Sequence, residues 1–117
     1  MNDICAAAIA VLSASLGCRV SAHVPAERPA RLVTLTRSGG PRGEAIDEPV
    51  LEVQCWDETW PGANDLADAA EESLRGLAAE YAWVSRVEVD SRAEYPDQSG
   101  PNDIPRIVLS ITAVCHI

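Results

Sequence analysis

Apolar side chains recur at helical spacing from the start of the chain, at Ile4, Ala8, Val11, Leu12 and Leu16. Asn2 or Asp3 stands where an N-cap belongs and Gly17 where a left-handed residue closes a helix, so the pattern predicts a helix over 4–16. The slim Ala6-Ala7-Ala8 run lets this helix lie close on a sheet. The period then shortens. Residues 20–24 read as a short strand stopped by Pro25. In 31–37 (RLVTLTR), β-branched residues put Val33 and Leu35 on one face and Leu32, Thr34 and Thr36 on the other.

Residues 38–44 (SGGPRGE) carry three glycines and a proline, cannot continue a strand, and are expected to form an exposed loop. Pro49 then opens a second clean alternation, VLEVQCW, with Leu51, Val53 and Cys55 on one face and Glu52 and Gln54 on the other. Strand, long loop and strand predict an extended hairpin whose tip, about 38–48, stands away from the body and is mobile until a partner orders it.

Asp57 or Thr59 can cap a second helix, with Pro61 in its first turn. Leu66, Ala70, Ser73, Leu74, Leu77 and Tyr81 form its buried stripe, and Asp65, Asp68, Glu72, Arg75 and Glu80 its wet side. Its acids, Asp65, Asp68, Glu71 and Glu72, are read as favoured by the helix dipole. Two strand patterns close the chain. One is 83–95, with Val87 and Val89 inward. The other is 104–117, with Ile107, Leu109, Ile111, Ala113, Cys115 and Ile117 on one face, paired antiparallel to the first across the turn-rich connector 96–103. The sum is an α+β domain over residues 1–117: a mainly antiparallel sheet of four to five strands, two helices packed on it, and an extended β-hairpin loop.

Composition changes the picture in one direction. The chain has 117 residues, 47% of them hydrophobic, and a formal charge of -9 from 18 acidic against 9 basic residues, all arginine. That suits one domain and disfavours sequence-specific nucleic-acid binding, because an acidic surface repels the phosphate backbone. The apolar run 4–16 is too short to span a membrane and lacks a basic flank and cleavage site, so the expectation is no membrane partner and a cytoplasmic protein with reduced thiols. Cys5, Cys18, Cys55 and Cys115 form no CxxC pair, and the histidines are His23 and His116. This spacing predicts no structural metal.

Nor does the chain spell out a reaction. Cys115 and His116 are neighbours in a strand and face opposite ways, which rules them out as a nucleophile and base pair. The GGPRG run enters a strand rather than a helix, and no lysine follows it, unlike a phosphate cradle. Asp57, Glu58, Asp65 and Asp68 are explained as acids at a helix start. The expectation is therefore no enzyme, no cofactor and no catalytic residue.

Read as a whole, the motif order resembles the tail terminator (tail completion) proteins of long-tailed phages and prophages. The resemblance is carried by Val24-Pro25 with Arg28-Pro29, Leu32 to Thr36 running into Arg37-Ser38-Gly39-Gly40, and Asp47-Glu48-Pro49-Val50-Leu51. Val53-Gln54-Cys55-Trp56, the acidic helix from Asp65-Leu66-Ala67, and Ser99-Gly100-Pro101 before Pro105-Arg106-Ile107 complete it. Ile107 stands where an aromatic residue commonly follows the arginine. The resemblance implies a homo-oligomeric ring, typically a hexamer, that caps the tail tube, ends its polymerisation and receives the head-tail connector protein. It implies no cofactor. It places Arg37, Gly39, Gly40, Pro41, Arg42 and Glu44 in the hairpin loop at a subunit or tail-tube contact, and Trp56 at the root of helix two. Under it the protein sits in the host cytoplasm during assembly and in the virion tail of an active phage, and an acidic lumen keeps passing DNA from sticking. Two alternatives stand beside it: a head-tail connector (neck) protein, and a small enzyme or ligand-binding domain using His23, Cys18 or the Asp57 cluster.

Overall fold

Asp3 accepts a hydrogen bond from the Ala6 N–H through its side chain, and Gly17 takes the left-handed φ of 66°, so the first helix is closed at both ends by the residues its pattern offers. The computed structural model describes residues 2–117. The elements run α1 (Ile4–Leu16), β1 (Arg19–Ser21), β2 (Leu32–Gly39), β3 (Ile46–Asp47), β4 (Val50–Trp56), α2 (Trp60–Arg75), α3 (Leu77–Glu80), β5 (Val84–Glu94) and β6 (Arg106–His116). The fold is α+β, with both long helices packed on one face of a single sheet. No helix among the described residues is long and apolar enough to cross a membrane.

The sheet is mixed rather than purely antiparallel. β2 with β4, β4 with β6 and β5 with β6 are antiparallel ladders, as their alternation implies, but β1 lies parallel to β2, Arg19 opposite Leu32. The reason is the link 22–31. It carries the chain from the end of β1 back to the start of β2, forming a strap instead of a hairpin turn. The first strand pattern is correspondingly displaced, from 20–24 to Arg19–Ser21.

β3 and β4 form one strand line against β6. Ile46 opposes His116, Asp47 opposes Cys115, and the same register resumes at Val50 opposite Thr112 and runs to Trp56 opposite Arg106. Between them the Ala113 N–H donates to the Pro49 carbonyl at 3.0 Å. The reciprocal bond cannot form, because proline has no N–H.

Alternation sorts the sheet faces cleanly. Val33, Leu35, Leu51, Val53, Cys55, Ile107, Leu109, Ile111 and Ala113 point under the helices and are buried against Leu12, Leu66, Ala70 and Leu74. Val87 and Val89 join them half-buried, as their pattern implies, whereas Ile117 is exposed beyond the end of β6. The Ser15 and Ser73 hydroxyls hydrogen-bond across the two helices. On the opposite face no helix lies. The strap and the connector 95–105 cover its Trp56 end, where Leu32 and Trp56 are buried. The remainder presents Thr36, Ser38, Val50, Glu52, Ser110, Thr112 and Val114, all partly or fully exposed.

The second helix departs from its pattern in two ways. Thr59, not Asp57, caps it by accepting from the Gly62 N–H at 3.1 Å. The stripe to Tyr81 is broken at Gly76, whose N–H turns back onto the Ser73 carbonyl, so Leu77 is buried from a separate one-turn helix. No acid stands in the first turn of α2, and a helix dipole fades within one turn, so it does not account for Asp65 to Glu72. Two of these acids have a tertiary partner instead: Arg92 of β5 reaches Asp68 at 2.6 Å and Glu71 at 3.4 Å.

Candidate functional site

The loop that joins β2 to β4 is folded back on the sheet and does not stand away from it. Ser38 and Gly39 belong to β2, with a bulge between Arg37 and Gly39 that turns the strand end. Beyond them the chain makes a second, smaller hairpin. Arg42 bridges Asp47, the Gly43 N–H donates to the Ile46 carbonyl at 2.8 Å, and the Glu48 N–H donates to the Pro41 carbonyl at 2.9 Å. Pairing of Ile46 and Asp47 with the end of β6, and the Ile117 N–H on the Ala45 carbonyl, fix this tip to the body.

Gly40 is what permits the turn. Its φ is 96°, and a β-carbon there would lie 2.1 Å from the Glu48 carbonyl oxygen and 2.8 Å from the Val50 nitrogen. Gly39, by contrast, has open space around it. The two glycines of one sequence motif thus do different jobs, one structural and one unconstrained.

Asp47 holds the tip from beneath. It is 6% exposed, and its Oδ2 accepts from Arg37 Nη1 at 2.8 Å and from Arg42 Nη1 at 3.2 Å. Arg37 completes a staple by donating through Nε to the Gly39 carbonyl and through Nη2 to the Gly40 carbonyl. This hydrogen bonding to Asp47 pushes the Arg37 pKa up. Asp47 Oδ1 is buried without a partner among the described residues.

Of the six residues expected at a contact, Arg37 is turned inward and Gly40 is committed to the backbone, while Gly39, Pro41, Arg42 and Glu44 are exposed. Arg42 keeps half its side chain in solvent. Arg37 thus positions the loop, with 29% of its side chain left exposed. Asp47 is named in the sequence only within the run Asp47 to Leu51, with no role of its own. Its only signal was a single carboxylate five residues from one arginine and ten from another, a spacing without a periodic rule behind it.

In the other constellation, around Cys18, His23 and Asp57, Arg31 lies beside both Cys18 and Asp57. Arg31 donates to Asp57 Oδ2 at 2.7 Å, and Asp57 Oδ1 receives the Glu58 N–H. His23 stands exposed in the strap, and its carbonyl accepts from the Ser21 hydroxyl. Burial pushes the pKa of all four thiols up, Cys55 to about 12, so each is protonated near neutral pH. A shallow cleft of about 270 Å³ opens beside Asp57, walled by Pro29, Ala30, Ile104 and Pro105 and rimmed by Arg28, Glu58 and Asp103.

Next to that cleft, Trp56 anchors the sheet end. Its Nε1–H donates to Asp97 Oδ2 at 2.9 Å, and the guanidinium groups of Arg28 and Arg106 lie 6.0 and 5.7 Å from its ring centre. Hydrogen bonds from Ser99, then from Trp56, hold the Asp97 carboxyl down to about 2. The expectation that Trp56 roots helix two fits this position, three residues before the Thr59 cap.

No protein-family model matches the chain, and no curated protein matches it either.

Proposed function

We propose that this chain is a structural tail component of a phage or prophage, a terminator-like subunit that forms a ring, of six copies by the resemblance of its motifs, on the end of the tail tube. In that role it ends tube polymerisation and offers the seat for the head-tail connector protein. It works in the host cytoplasm during assembly and then in the virion tail. It turns over no substrate and needs no cofactor.

The observation that carries the reading is the half-bare sheet. The helices cover one face, whereas the other is left uncovered around Val50, Ser110 and Thr112, with Glu52, Arg86, Glu88 and Asp90 beside them. Such a surface is stable in water, and its short threonine, serine and valine side chains lose little freedom when a neighbour covers them. The charge is consistent with the role as well. Arg28, Arg31, Arg37, Arg42, Arg86 and Arg92 all pair with carboxylates of the same chain, so the exposed excess is acidic and suited to a channel that DNA passes without binding.

The test is co-sedimentation of the purified chain with polymerised tail-tube protein and, separately, with portal-side neck protein. Retention on tube ends, seen as caps by electron microscopy, is expected. Binding to the neck protein alone would reassign the chain to the connector, and binding to neither would sink the tail reading. Deletion of residues 39–44 is not a clean probe of the loop, because it removes both carbonyl acceptors of Arg37. Point changes at Arg42 and Glu44 leave the staple in place.

A further inference from the structure

The molecule measures 46 × 25 × 24 Å, and an 11-residue strand such as β6 spans about 36 Å at roughly 3.3 Å per residue, so the strands must run along the long axis. One end is then the tip, with Arg42, Ile46 and Ile117. The other is the clasp, where the strap and the connector meet over Trp56. The exposed large hydrophobic side chains divide between these ends: Ile46 (37%) and Ile117 (51%) at the tip, Val24 (50%) in the strap and Tyr95 (63%) at the clasp. No large hydrophobic side chain is exposed along the flanks among the described residues.

We infer that the two ends are complementary halves of one head-to-tail contact, in which Arg42 of one copy enters the clasp cleft of a second copy of this chain. The inference rests on the assembling-subunit reading above. At about 270 Å³ the cleft falls just short of the smallest metabolite pockets, about 300 Å³, and suits a single side chain. Its Pro29, Ile104 and Pro105 walls take an aliphatic stem, and Glu58 and Asp103, whose carboxylates have no hydrogen-bond or ionic partner among the described residues, take a guanidinium fork. Arg42 can leave its own carboxylate without stranding it, because Asp47 keeps Arg37.

The occupant is a second copy because the chain supplies both halves, an exposed arginine at the tip and unpaired carboxylates at the clasp. Packing α2 against α2 would set Asp65 and Glu72 against like charges, whereas tip-to-clasp packing sets an arginine against carboxylates. A contact between two different patches is heterologous, and it closes into a ring when the rotation per copy allows.

Sedimentation velocity of the full chain over a range of concentrations tests this. The wild type is expected to associate, less so at high salt, and both R42E and E58R/D103R to weaken association by about tenfold or more. The decisive variant is R42E/E58R/D103R in one chain, which restores opposite charges across the contact and is expected to associate within about threefold of wild type. Circular dichroism melts establish that each variant is folded; should the clasp reversal fail to fold, E58Q/D103N takes its place and is expected to weaken association. A strictly monomeric wild type, an unchanged R42E, or a folded triple variant that is not restored overturns the contact. Tube capping by a wild type whose self-association ignores Arg42 would overturn this contact and leave the tail reading standing. Arg42-dependent association by a chain that ignores tube and neck would do the reverse.

Discussion

Gly39 and Gly40 are adjacent, exposed and chemically identical, yet the backbone treats them differently. Replacing Gly40 with alanine puts a β-carbon 2.1 Å from a backbone carbonyl at a φ of 96°, which should destabilise the fold by about 1–3 kcal/mol. Gly39→Ala should stay within about 0.5 kcal/mol. Urea titrations of the two variants side by side measure the difference. The same contrast explains what a motif can and cannot say. That a glycine pair would end the strand and turn the chain was readable from Ser38-Gly39-Gly40-Pro41, but which of the pair bears the positive φ depends on Glu48 and Val50 returning alongside. Arg37 was readable as a residue of the loop. That it points inward depends on Asp47, ten residues later, arriving beneath it.

At the scale of elements, the helices and the strands β2, β4, β5 and β6 follow from periodicity and caps, because each buries a stripe that its own sequence defines. The departures sit where a distant segment decides. Gly76 can continue or break a helix, and the packing of Leu77 and the Tyr81–Trp83 ring pair, 5.5 Å apart, selects the break. The strap and the connector have no period at all, and only the assembled sheet end shows that they clasp Trp56 through Arg28, Arg106 and Asp97. Asp97→Asn tests that clasp. Because its folded pKa is depressed to about 2 from an ordinary 3.8, the carboxylate stabilises the fold fully above the ordinary value, and this contribution is lost as pH falls from there towards 2. The asparagine variant should be less stable by about 1–3 kcal/mol near neutral pH and should lose less stability than wild type across that acid window. Denaturant midpoints measured at several pH values check both parts.

For the molecule as a whole, the mixed sheet was the feature least open to sequence reading, since a short strand such as β1 fits either direction and only the strap's path settles it. One consequence of the long strand line along β6 lies at Pro49. A continuous ladder would melt as a unit, but a rung is missing between β3 and β4, where the Ala113 carbonyl faces a nitrogen without hydrogen. That gap works as a perforation, letting the sheet's end peel while the rest stays zipped. In hydrogen-exchange measurements the amides of Gly43, Glu48 and Ile117 should therefore exchange at least about tenfold faster than those of Val53 and Leu109. Pro49→Val restores the rung and should slow the first group severalfold while leaving the second unchanged.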